Sequence, residues 1–282
     1  MKKFLLTLFI LLLLGGLVAG GTILTKEVVL PALQKKPASQ QTPQEDVSSQ
    51  DASDTQAGQQ PNLGIYKRVQ SGAEMLEALD YEYRQNPDTV GWLRVPGTDI
   101  NNSVLQSFDN NYYLRLTERK QPDIYGCYFA DYASWIGKRE EMGPNTVIYG
   151  HSDLQDNPDG PRFSQLFRFT DPAFARSTPY IEFSTMEDFM DWQVFAVFYP
   201  SVEMDYINTN LTGAQLVALA EDAKAQSIYD YGVTVGPEDK ILTLSTCTIK
   251  FGREDTSHRF VIMAKLVAED TVLEETAEIT VK

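Results

Sequence analysis

Ile241-Leu-Thr-Leu-Ser-Thr-Cys247 is the stretch on which the reading turns. Apolar and β-branched residues fill it and turn residues precede it, which predicts a strand that ends in a cysteine. Such a strand delivers its thiol to the rim of a sheet, where a substrate can reach it. Taken alone the segment is a weak signal, because a free cysteine is commonly just a small buried hydrophobe.

A second segment changes that balance. Asn145-Thr-Val-Ile-Tyr-Gly-His151 also runs apolar and ends in glycine and then histidine, placing an imidazole at another strand terminus. A third, Arg259-Phe-Val-Ile-Met-Ala-Lys-Leu266, opens with arginine, and the short loop after Cys247 should make it the antiparallel neighbour of the cysteine strand. Cysteine, imidazole and guanidinium can then meet at the mouth of one barrel. Arg253 in the intervening loop competes with Arg259, which is preferred because it opens the strand. His258 should point to the opposite face from Arg259 and is read as a surface or supporting residue.

Further out, short β-rich runs recur between turn residues: Gly91 to Val95, Ser103 to Gln106, Gly126 to Ala130, Asn145 to Tyr149, Tyr180 to Ser184, Trp192 to Tyr199, Ile241 to Ser245 and Arg259 to Val267. About eight strands suggest a barrel or a sandwich. A helix precedes them, with Ala73, Met75, Leu76, Leu79 and Tyr83 at helical spacing until Asn86-Pro87-Asp88 halts it. A second helix is expected over Thr212 to Tyr229, between the sixth and seventh strands. There Thr212 and Gln215 form a capping box, and Leu216, Leu219, Ala220 and Ala223 line one face.

Composition limits the chemistry. A 43% hydrophobic, 11% aromatic content over 282 residues supports a sizeable core. The formal charge of -15, from 24 basic against 39 acidic side chains, argues against nucleic acid and other polyanions as partners. Two cysteines and two histidines leave no disulfide framework and no thiolate-rich metal site. Cys127 is read as a buried strand residue, although one Cys127–Cys247 disulfide stays open for an exported protein. No cofactor is expected. The loop Ser152 to Arg162 carries Asp153, Asp156 and Asp159; a solvated loop is the expectation, with calcium binding as the alternative.

Thr-Leu-Ser-Thr-Cys247, Tyr-Gly-His151 and Arg259-Phe-Val, in that family's order, resemble the catalytic signatures of sortases. Val90-Gly-Trp-Leu-Arg-Val-Pro-Gly-Thr98, Asp109-Asn-Asn-Tyr-Tyr-Leu114 and Gly126-Cys-Tyr-Phe-Ala-Asp131 extend the resemblance to class B, over nearly all of residues 70 to 267. The resemblance implies a mainly β fold: an eight-stranded barrel with an added N-terminal helix and a long helix between strands six and seven. It also implies a transpeptidase in which Cys247 attacks the carbonyl after a threonine in a C-terminal sorting motif of Asn-Pro-x-Thr-Asn type. A cationic His151 would protonate the departing amine, and Arg259 would hold the oxyanion. Ser245 and Thr246 adjoin the nucleophile as candidate substrate-binding residues. Implied partners are secreted proteins bearing a sorting signal, with a lipid-linked peptidoglycan precursor or a pilin subunit as amine acceptor. The rival readings are a cysteine hydrolase with the same residues and a non-catalytic surface binding domain.

The N-terminus fits that setting. Lys2 and Lys3 precede an uncharged, largely apolar run from Phe4 to Leu24, roughly 20 residues and long enough to cross a bilayer. Residues 1–25 are expected to be an uncleaved membrane anchor, with a cleaved signal peptide as the alternative, and everything after Thr25 is expected outside the cell. Residues 26–62, rich in Gln, Ser, Asp, Ala, Thr and Pro, read as a solvated linker, and residues 63–282 as the catalytic domain.

Overall fold

The computed structural model describes residues 63–282, and their side chains from residue 72 onward. The expected anchor (1–25) and linker (26–62) lie outside the described residues. Among the described residues, no helix is long and apolar enough to cross a membrane.

Helix α1 spans Leu63–Gln85 and stops where Pro87 forbids its continuation. Asn86, buried at this end, donates through Nδ2 to the Tyr113 hydroxyl and to the Glu118 carbonyl, both at 3.0 Å, and accepts from the Asp88 N–H. Ten strands follow: β1 Thr89–Arg94, β2 Asn101–Gln106, β3 Tyr128–Ala130, β4 Asn145–Tyr149, β5 Tyr180–Ser184, β6 Asp191–Phe198, β7 Tyr229–Asp230, β8 Ile241–Cys247, β9 Arg259–Leu266 and β10 Thr280–Val281. Eight close into a barrel in the order β1-β2-β3-β4-β8-β9-β6-β5, with β1 paired to β5. These are the eight expected strands, each with ends within two residues of those read from the sequence. The alternative of a sandwich is set aside by this closure. The β2–β3 and β4–β8 pairs are parallel and the others antiparallel.

Burial follows from composition. Trp192, Phe183, Phe195, Phe198 and Phe260 are almost wholly enclosed, and the Trp192 indole N–H is satisfied by the Phe183 carbonyl at 2.9 Å.

The second helix departs from expectation at its end. Helix α3 covers Gly213–Gln226, with the Thr212–Gln215 capping box in place, but it does not continue to Tyr229. Ser227 stops it: its hydroxyl accepts from the Val197 and Tyr229 N–H groups, offering the backbone an alternative to another helical turn. The chain then docks along β6, with the Ile228 N–H bonded to the Val197 carbonyl, and Tyr229 is buried. The sequence reading also missed the 3-10 helices Tyr112–Arg115 and Arg162–Thr170, the short helix α2 (Pro172–Ser177), and the two-stranded pair β7–β10.

Asn145, at the start of β4, is fully buried and fully satisfied. Its Nδ2 donates to the carbonyls of Tyr206 and Asn208 at 3.0 Å, and its Oδ1 accepts from the Thr243 hydroxyl at 2.8 Å. It thereby ties the loop after β6 to the barrel. Asn145→Leu keeps the volume and strands three polar groups, two of them buried, so urea unfolding should show a loss of about 2–4 kcal/mol with an unchanged slope.

Candidate active site

Strand β8 runs between β4 and β9, so backbone pairing on both sides sets where it ends. Ile241 to Thr246 are buried, and Cys247 is the first residue of the strand to emerge, its thiol exposed. On the β9 side Cys247 is the register partner of Arg259. On the β4 side Ser245 is the partner of Tyr149, and Gly150 N–H reaches the Ser245 carbonyl at 3.4 Å, carrying His151 to the same rim. Gly150 is required by packing: a Cβ there would lie 2.8 Å from the Phe163 ring and 2.9 Å from Tyr128.

His151 is half-buried and its Nε2 lies 2.9 Å from the Leu114 carbonyl oxygen. A carbonyl only accepts, so Nε2 carries the proton and Nδ1 holds the free lone pair of the neutral ring. Burial and then the nearby Arg115 cation push the imidazole below its ordinary range, against a smaller upward pull from the Leu114 carbonyl. The surroundings therefore favour a neutral ring in the free protein, where the sequence reading expects a cation.

Arg259 donates through Nη1 to the carbonyls of Thr256 and His258 at 2.8 and 2.7 Å. Its other donors have no partner among the described residues. Arg253 sits on the exposed loop and does not line the cleft. His258 is a supporting residue: it pairs with Asp255 at 2.8 Å and stacks on Phe251, ring centres 4.1 Å apart. The Ser257 side chain and backbone, with His258, draw the Asp255 carboxyl down to about 2.

Cys247, His151 and Arg259 line one cleft of about 400 Å³. Ser245 and Thr246 line it too. The Ser245 hydroxyl is 3.1 Å from that of Tyr206, while the buried Thr246 hydroxyl has no hydrogen-bond partner among the described residues. Asn110, Leu114, Tyr149, Tyr206 and Ile207 complete much of the wall. Asn110 and Leu114 lie in a block quoted above without an assigned role, and Tyr149 beside His151. Tyr206 and Ile207 sit on an irregular loop that carries no motif. A second recess of about 320 Å³, bordered by Arg115, Leu154 and Ile249, shares His151 and Cys247 with the first.

The acidic loop is more organised than a solvated one. Asp156 Oδ2 accepts from the Thr248 hydroxyl at 2.6 Å and from Ile249 N–H at 3.0 Å, and the Ser152 hydroxyl donates to the Cys247 carbonyl at 2.9 Å. Asp153 is occupied by the N–H groups of Gln155 and Asn157, and Asp159 by Arg168. The three carboxylates face different partners, and among the described residues no cluster of three or more His, Cys, Asp or Glu could hold a metal ion. Cys127 is buried beside Leu105, Tyr113 and Phe129 and carries a free thiol, pushed up by burial, so it forms no bridge to Cys247.

Known proteins resemble this chain in sequence and fold. The family model of the sortase domain matches residues 93–267. Sortase B of Listeria monocytogenes is 32% identical over 197 residues, covering 70% of this chain and 76% of that protein. Among solved structures, a Staphylococcus aureus sortase B–substrate complex superposes with a TM-score of 0.61 at 25% identity, covering 73% of this chain and 94% of the other. A sortase B complexed with triglycine gives the same score and identity, covering 73% and 95%. The chain belongs to the sortase family, as a class B cysteine transpeptidase.

Proposed function

We propose that Cys247 is the nucleophile, His151 the proton carrier and Arg259 the oxyanion donor of this transpeptidase, acting on a C-terminal sorting motif of Asn-Pro-x-Thr-Asn type. The observation that carries this reading is the convergence of these three side chains in one cleft. The neutral His151 takes the thiol proton as the sulfur bonds to the threonine carbonyl carbon. Arg259, always charged, donates to the developing oxyanion through the groups that have no partner among the described residues. The carbon–nitrogen bond then breaks, and the imidazolium returns its proton to the departing amine, leaving a thioester. An incoming primary amine gives a proton to His151 as it displaces the sulfur and forms a new amide, and the imidazolium passes that proton to the sulfur, restoring the thiol and the neutral ring.

The acceptor is an amine of a lipid-linked wall precursor or of a pilin subunit, a reading supported by the similar sortase B seen with triglycine. Substrates are secreted proteins with a sorting signal, supported by the similar substrate complex. The apolar run from Phe4 to Leu24 anchors the enzyme in the cell membrane with its domain outside.

The decisive experiment is mass spectrometry of the full chain with Asn-Pro-x-Thr-Asn peptides, with and without an amine. Wild type should form a thioester that the amine converts to ligated peptide, and Cys247→Ala should form neither; a wild type that only hydrolyses the peptide with amine present would favour the hydrolase. Arg259→Lys should lower kcat by ~10²-fold or more. Asp156→Ala frees Thr248 and Ile249 behind the nucleophile, and kcat/KM should fall by about 10-fold while the fold is kept.

Acid stability offers a separate check on His151. Because the folded protein depresses its pKa, the unfolded chain binds its proton first, near the ordinary 6.5. The contribution is therefore intact above about pH 6.5 and is lost as pH falls through that value toward the lower folded one. Urea midpoints between pH 7.5 and 5 should fall less steeply in His151→Gln than in wild type.

A further inference from the structure

Two sequence blocks without a role in the chemistry, Asp109 to Leu114 and Gly126 to Asp131, meet at one buried carboxylate. Asp131 follows β3 and is 5% exposed. Its Oδ2 accepts from Asn110 Nδ2 at 2.7 Å and from the Tyr149 hydroxyl at 2.8 Å, and its Oδ1 from the Ala133 N–H at 2.9 Å. Three donors converge on it.

Asn110 and Tyr149 both line the cleft that holds Cys247. The carboxylate oxygen accepts from both, so it dictates how each presents itself. Asn110 must turn its amide nitrogen to Asp131, and its Oδ1 accepts from Tyr132 N–H at 2.9 Å, so both ends of the carboxamide are held. One amide hydrogen and one oxygen lone pair remain for a ligand. Tyr149 must donate to Asp131 and can offer the cleft only lone pairs. Burial first and then the Asp131 charge push its phenol up, which keeps it a donor. Asp109 accepts from the N–H groups of Asn111 and Tyr112, starting the 3-10 turn that leads to Leu114, whose carbonyl holds His151.

We propose that Asp131 is a positioning residue for substrate binding, which fixes the hydrogen-bond polarity of the cleft wall made by Asn110 and Tyr149. It touches no reacting atom. The proposal rests on the peptide transpeptidase reading above. The bland alternative is that Asp131 only caps its own turn, through Ala133 N–H on the side chain and Ser134 N–H on its carbonyl.

The test uses the full chain, taken forward once wild type has cleaved peptide in the mass-spectrometric assay, so failure of that reading is seen separately. Steady-state kinetics are measured for Asp131→Asn, Asp131→Ser, Asn110→Ala and the Asp131→Asn/Asn110→Ala double variant. Asn can flip and donate where the carboxylate accepts, so KM should rise about 10-fold with kcat changed far less. Alkylation of Cys247 by iodoacetamide should stay within about 2-fold of wild type, and the double variant should be no worse than the poorer single one. Asp131→Ser keeps an acceptor for Ala133 N–H but cannot reach Asn110 and Tyr149, so it should show the same rise and serves if the Asn variant fails to fold. The proposal is overturned by a wild-type KM in either variant, by an equal loss in alkylation, or by losses that multiply in the double variant.

Discussion

The site depends on the two-sided pairing of β8. Its backbone is bonded to β4 in parallel and to β9 in antiparallel sense, so no freedom remains in where the strand ends. That single constraint brings residues of three distant segments together. Register on one side sets Arg259 across from Cys247, and on the other it carries the chain through Tyr149 and Gly150 to His151. A slip of one residue in either ladder would turn Cys247 toward the other face of the sheet, and the buried Asn145–Thr243 hydrogen bond between β4 and β8 opposes such a slip.

Electrostatics at the rim follow from what this geometry encloses. Burying a histidine near Arg115 disfavours its charge, which suits the role proposed for it as an acceptor of the thiol proton. Arg259 keeps its charge in any surroundings, so its task reduces to orientation, met by two loop carbonyls on one nitrogen. The roles proposed for the two residues thus divide along a physical line: one titrates and the other cannot.

How much of this was legible in the sequence depended on the range of the interaction responsible. Strands written as apolar runs between turn residues, and the capping box of α3, are local signals, and all eight barrel strands stood where those signals lay. Cys247, His151 and Arg259 could be singled out because each marks a strand end, and Ser245 and Thr246 came with them. The end of α3 was misplaced because Ser227 stops the helix by accepting from the distant Val197 N–H. Tyr206 is held at the cleft by contacts with distant residues, the grip of Asn145 on its loop and the Ser245 hydroxyl, and Asp156 looks like one more solvated acid until the fold sets it beside Thr248. The downward shift of the His151 imidazole could not be read for the same reason, since its burial and the nearness of Arg115 are products of folding.

The links from Asp156 and Ser152 to the segment at Cys247 carry a consequence for how such a protein can vary. Surface loops ordinarily absorb insertions and deletions cheaply, because their backbone touches little. The stretch between His151 and Arg162 is different, since it grips the chain at the thiol residue and just after it, from Cys247 to Ile249. A change in its length would be felt as a displacement of the sulfur rather than as a change at the surface. Two loops that look independent along the chain are constrained to change together, and swapping one alone from a relative would carry the reactive centre with it.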